Sequence, residues 1–162
     1  MTSEPGDSSV TAAMAQKWGA GVVEASGFTQ VPNYLIAANQ FLVKEARLSP
    51  TEFLVLMQLL QSWWRADQFP FPSKATLATR TGLSERQVQR ALSGLENKAF
   101  LKRVDRLLER GGRSSNLYDL SGVVQFVQDA VQAFPGAFKR KVTQKRKEPR
   151  PSLAKALPSS AE

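Results

Sequence analysis

The sequence predicts a mostly helical domain closed by a small β-hairpin, and three observations predict it. Capping boxes stand at Ser49-Pro50-Thr51-Glu52 and Ser84-Glu85-Arg86-Gln87, each with a Ser to accept the first free amides and a Glu or Gln three residues later to reach back. A three-residue break holding Gly82 separates two helical patterns, and glycine is suited to the left-handed turn such a break needs. Two short β-prone runs, Phe100–Val104 and Asn116–Leu120, flank a stretch rich in Gly, Ser and Arg, which reads as a hairpin with a basic tip.

The chain has 162 residues, 42% of them hydrophobic, enough for one core with tails. It contains no cysteine and no histidine. Disulfides, Cys/His zinc sites, haem attachment, cysteine nucleophiles and imidazole-based triads are thereby excluded. The 14 acidic residues form no DxD or ExxE pair in an apolar setting, so neither an enzyme, a cofactor nor a metal site is expected. Met1 to Ser9 is polar and acidic, unlike a signal peptide. No apolar run reaches the roughly 18 residues of a membrane span, and no membrane partner is expected.

Lys and Arg number 22, for a net charge of +8. The excess sits in two blocks: ten basic against five acidic residues over Ser73–Leu120, and seven against one over Lys139–Pro151. Blocks of one sign point to a polyanionic partner more than scattered charge does. Three parts follow: a disordered leader over 1–27 with a transient helix around Ala12–Lys17, a folded domain over 28–134, and a basic disordered tail over 135–162.

Within the domain, Pro50 favours a helix start after Ser49, and the run Phe53–Trp64 is apolar on nearly every face. A central, buried helix is expected, with Trp63 and Trp64 packed in the core. Phe69-Pro70-Phe71-Pro72 enforces extended backbone. Ser73 then caps a short helix to about Arg80, with Leu77 and Ala78 inward. The helix from Ser84 runs to about Lys98. At 3.6 residues per turn, Val88, Leu92, Leu95 and Ala99 fall within about 40° of Val88 and are expected in the core. Arg86, Arg90, Ser93 and Asn97 lie at about 140° to 200° from Val88, flanked by Gln87 and Gln89. Two helices joined by a Gly-bearing turn form the helix-turn-helix pattern. A polar stripe of this make-up carries the donors and acceptors that base edges in a major groove require, although an ordinary solvated face can also carry Arg and Gln.

Phe28 to Leu120, a little over half of the chain, resembles the winged helix-turn-helix domains of bacterial regulators and of plasmid or phage replication initiators. The resemblance rests on the entry segment Phe28–Asn33, the helix from Ser49, the block from Ser73 to Leu92, and the hairpin. It implies that the Ser84 helix is a recognition helix and the hairpin a wing. Candidate base-reading residues are Arg86, Gln87, Gln89, Arg90, Ser93 and Asn97. Candidate phosphate and wing residues are Lys74, Thr76, Ser84, Arg103, Arg110, Arg113 and Ser114, with Arg106 also in the wing. Lys139, Arg140, Lys141, Lys145, Arg146 and Lys147 would add sequence-independent phosphate contacts from the tail.

Ser121 can cap a last helix in which Val123, Val127, Ala130, Val131 and Phe134 share a face. That face either packs on its own domain or pairs two copies as a homodimer through Val123, Val127, Val131 and Phe134. The expected function is sequence-specific binding of double-stranded DNA, by a transcriptional regulator acting through site occupancy without a small-molecule signal. A plasmid or mobile-element replication or partition protein is the alternative within that class, and an adaptor docking through the 121–134 helix the alternative outside it. The expected location is the bacterial cytoplasm, with nucleoid or plasmid DNA.

Overall fold

The computed structural model describes residues 7–105 and 116–139. Helix α1 covers Asp7–Trp18, α2 Ala20–Ser26, α3 Asn33–Ile36 and α4 Ala38–Phe41. A 3-10 turn at Lys44–Ala46 leads to α5, Pro50–Gln61. Helix α6 is Lys74–Thr81 and α7 Glu85–Asn97; strands β1 (Lys102–Val104) and β2 (Leu117–Asp119) precede α8, Ser121–Ala133.

The capping chemistry read from sequence is present in atomic detail. Ser49 Oγ accepts the Glu52 amide at 3.2 Å while Glu52 Oε2 accepts the Ser49 amide at 2.7 Å. At α7 the same exchange joins Ser84 and Gln87, with amide-to-side-chain distances of 3.2 and 2.9 Å. Ser73 Oγ accepts the Thr76 amide at 3.0 Å to open α6. Gly82 ends α6 at φ 71°, its amide donating to the Ala78 carbonyl. That left-handed geometry excludes most side chains and sets the turn into α7.

The core lies between α5, α6 and α7 and extends under the hairpin. Val55, Leu56 and Leu59 of α5, Leu77 of α6, and Val88, Leu92 and Leu95 of α7 are all at most 1% exposed. In the antiparallel hairpin Lys102 pairs with Asp119, Arg103 with Tyr118 and Val104 with Leu117. Both amides of the central pair point away from the hairpin. That of Tyr118 donates to the Pro70 carbonyl at 2.9 Å, so the extended Phe69–Pro72 segment lies along the outer edge of β2. The result is a mostly α fold with a two-stranded hairpin, a winged helix-turn-helix.

Several elements depart from expectation. Within residues 7–26, expected as an open leader with a transient helix, two helices form, Asp7–Trp18 and Ala20–Ser26, broken at Gly19; Ala12, Ala13 and Ala15 are strong helix formers, and no proline interrupts the segment. Segment 33–46, for which no element was read, holds α3, α4 and the 3-10 turn. Ala99 is not in the core. Helix α7 ends at Asn97, and Ala99 takes φ 61° so that its amide reaches the Glu96 carbonyl and that of Phe100 the Leu95 carbonyl. These are the paired bonds of a Schellman stop, and they turn Ala99 outward; Ala91 is buried instead.

Helix α5 stops at Gln61, so the two tryptophans lie beyond it. Trp63 packs against Phe69, whereas Trp64 is 76% exposed rather than in the core. Ser121 is not the cap of α8: Leu120 holds that position, and Asp119 Oδ1 accepts the Ser121 amide at 2.8 Å. The face of α8 is divided. Val123 and Ala130 are buried in this chain's own core, with Phe126 against Phe100 at 5.3 Å, which removes Val123 from any pairing surface. Val131 and Phe134 remain exposed. Past α8 the chain folds back, and Phe134 and Phe138 gather around Tyr34 and Phe41; the Tyr34 hydroxyl donates to the Phe134 carbonyl.

A methyl at residue 122 would lie 2.0 Å from the Ala99 carbonyl oxygen and 3.0 Å from that of Phe100, both backbone atoms. Gly122→Ala is therefore expected to cost about 2–3 kcal/mol of stability by urea denaturation. Ala99→Gly, which removes the left-handed strain at the same contact, is expected to raise stability by up to about 1 kcal/mol.

Candidate nucleic-acid interface

Helix α7 presents one face to the core and the other to solvent. Its position is set by α5 through a short path of named atoms. Glu52 is a carboxylate only 8% exposed, and its Oε2 accepts from Lys98 Nζ at 2.6 Å as well as from the Ser49 amide. Lys98 Nζ also donates to the Arg47 carbonyl at 2.8 Å. Opposite Glu52 stands Gly94, where a Cβ would fall 2.0 Å from Glu52 Oε1. The absent side chain is thus the space the buried carboxylate occupies. A buried charge of this kind needs its cation and its hydrogen bonds, and here both are supplied.

The candidate base-reading residues divide by what they already bond. Arg86, Arg90 and Asn97 are exposed along the outer face of α7. Arg90 and Gln87 line a shallow cleft whose far wall is Ser49, Thr51 and Glu52 at the start of α5. Gln87 is exposed, but its Oε1 is occupied by the amide and hydroxyl of Ser84. Gln89 and Ser93 are half-buried and face each other, Nε2 to Oγ at 3.5 Å.

The candidate phosphate residues divide likewise. Lys74 is exposed in the first turn of α6, Thr76 is tied to the Ser73 hydroxyl at 2.9 Å, and Ser84 is the N-cap of α7. Arg103 is engaged within the protein. Its Nε and Nη2 donate to Glu96 Oε2 at 2.8 and 2.5 Å, its amide donates to Glu96 Oε1 at 3.0 Å, and Nη2 approaches Ser93 Oγ at 3.4 Å. Arg106, Arg110, Arg113 and Ser114 lie outside the described residues, as do Arg140, Lys141, Lys145, Arg146 and Lys147. Lys139 is described and exposed.

Four residues of this surface were missed by reading the sequence. Lys102 is exposed at the hairpin base, and Arg80 is exposed at the end of α6 with Nη1 donating to Ser62 Oγ at 3.2 Å. Glu96 and Lys98 are the internal partners just described. The one visible signal was Gly94, since a glycine inside a helical pattern marks a close approach. Nothing local announces Glu96 and Arg103 as partners.

Electrostatically, Glu96 is the perturbed group. The guanidinium and amide of Arg103 hydrogen-bond its carboxylate and hold it below the usual glutamate range. Burial pushes the Tyr118 phenol up, so it remains protonated at neutral pH. Among the described residues no group of three or more acidic side chains comes together as a metal site, and no helix is long and apolar enough to cross a membrane.

Residues 46–101, from the 3-10 turn through α7 to the start of the hairpin, match a family described as a helix-turn-helix domain. No curated protein matches the chain. A solved structure titled "Possible transcriptional regulator from Methanosarcina mazei Go1" is 21% identical, covering 62% of this chain and 77% of its own, with a TM-score of 0.39.

Because the folded state holds Glu96 more acidic than the unfolded chain does, the pair stabilises the fold above the usual glutamate range and ceases to do so as pH falls through and below it. Urea midpoints from pH 7 down to pH 3 should show wild type above Glu96→Gln at neutral pH, with the gap closing in acid. A gap that is independent of pH would contradict the ionic account.

Proposed function

We propose that this helix-turn-helix chain binds double-stranded DNA in a sequence-specific manner, with α7 in the major groove, and that it regulates transcription by occupying its site. The observation that carries the reading is the division of α7: Val88, Ala91, Leu92 and Leu95 in the core, and Arg86, Arg90 and Asn97 exposed on the far side. An α-helix fits the major groove, where Arg can pair bidentately with guanine and Asn with adenine. Lys74 and Ser84, near the starts of α6 and α7, are assigned to phosphates, and the basic residues between β1 and β2 in sequence and those from Lys139 onward to backbone contacts. Lys139 to Lys147 would raise affinity without reading sequence.

The finer proposal is that two copies occupy paired half-sites about one helical turn of DNA apart. Val131 on α8 and Phe134 just after it, both exposed, support it. No small-molecule signal is invoked, and the protein would act where the DNA is, in the cytoplasm.

Selection from a pool of random genomic and plasmid duplexes at two salt concentrations tests the proposal. An enriched motif at moderate salt is the expected outcome, as an inverted repeat if two copies bind. Weak, unselective binding that falls steeply with salt would mean that only the basic tail engages DNA. On the selected duplex, Arg86→Ala and Arg90→Ala should each cost about 1–3 kcal/mol and relax one base preference. Lys74→Ala should weaken all sequences alike and make the slope of log K against log salt shallower by about 0.9.

A further inference from the structure

Arg103 sits at the base of the hairpin, beside the far end of α7, where sequence reasoning assigned it to a DNA phosphate. Its bonds argue otherwise. A guanidinium has five donors in a rigid fork, and Arg103 directs two N–H groups to Glu96 Oε2 while its own backbone amide donates to Glu96 Oε1. One carboxylate of α7 thus takes three hydrogen bonds from one residue of β1. The pair is partly shielded, with side-chain exposures of 24% and 31%, and Ser93 on the reading face of α7 lies within 3.4 Å of the same guanidinium.

The backbone geometry gives the contact a direction. Arg103 and Tyr118 form the central pair of the hairpin, and neither amide points across it. Tyr118 is fastened on one side to Pro70 and Arg103 on the other to Glu96. The hairpin base is therefore held at both edges, one of them directly to α7. Moving the Arg103 guanidinium to a phosphate would remove two of the three bonds on Glu96 and leave its carboxylate held by the amide alone next to a polyanion.

Resting on the DNA-binding reading, we infer that Glu96 and Arg103 are a clamp that sets the hairpin against α7, and that Arg103 serves binding as a positioning residue rather than a phosphate contact. Two substitutions separate the roles. Lysine keeps the charge but loses the fork, so a phosphate contact survives Arg103→Lys and a clamp does not. Glu96→Ala frees Arg103, which would tighten binding if Arg103 reached a phosphate and weaken it if the pair aligns the hairpin.

The experiment measures both variants of the full chain on the selected duplex across a salt series, alongside amide exchange of the free protein. Both are expected to lose specific affinity roughly tenfold, the scale of one lost charge-assisted interaction. In the DNA-free protein Glu96→Ala should exchange the Arg103 amide roughly tenfold faster. Wild-type affinity in Arg103→Lys together with tighter binding in Glu96→Ala would overturn the inference. Should the wild type select no duplex at all, the DNA reading fails separately. The clamp is then judged by exchange alone: faster exchange upholds the attachment of hairpin to helix, and unchanged exchange overturns it.

Discussion

The arrangement of the domain depends on one buried carboxylate. Glu52 closes the capping box that starts α5, and the same oxygen that accepts the Ser49 amide accepts Lys98 from the end of α7. A cap is ordinarily a local device, worth about 1 kcal/mol to its own helix. Here it also fixes a second helix, because the carboxylate can lie against α7 only where Gly94 leaves room. The crossing of α5 and α7 is thus specified by an absent side chain on one helix and a charged one on the other. Leucines alone would tolerate small slides between the helices. A hydrogen-bonded ion pair in a gap of that size tolerates far less.

Everything C-terminal of α7 inherits that placement. The Schellman stop at Lys98 to Phe100 sends the chain into β1, Glu96 fastens β1 to the helix it has just left, and the Ala99 carbonyl rests against Gly122 at the start of α8. Helix α8 then returns along the domain, with Val123, Phe126 and Ala130 inward. The solvent face of α7 is therefore presented by a frame in which each joint is a named hydrogen bond or a close backbone approach. Support of that kind keeps the donors of an exposed helix face in fixed positions.

Much of this was legible in the chain, and what was legible was local. Capping boxes, Gly82, the proline pairs and the apolar period of α7 each act within four or five residues, so α5, α6 and α7 could be placed from them, and the hairpin from its two β-prone runs. The errors have a common physical origin in contacts that sequence distance conceals. Ala99 fits the apolar period of α7 but falls two residues beyond where the helix ends. Trp64 belongs to an apolar run whose helix stops three residues earlier. Val123 fits a pairing surface by its spacing, and nothing nearby in sequence reveals that it is buried in this chain's own core. The outer stripe of α7 could be listed, but not sorted into residues free to bond and residues already bonded. Gln87 is held by its own cap, and Arg103 by a glutamate seven positions away.

The three tryptophans also end in three different settings. Trp18 is 56% exposed on α1 with the Lys17 ammonium over its ring at 5.1 Å, Trp64 stands in solvent, and only Trp63 lies against the core, packed on Phe69. Intrinsic fluorescence of this protein is thus a composite in which two emitters already see water in the native state. Its red shift on unfolding comes from a single indole at the end of α5, and collisional quenchers such as iodide reach the other two first. The signal that most simply reports folding in other small domains reports here on one corner, the junction between α5 and the Phe69–Pro72 segment.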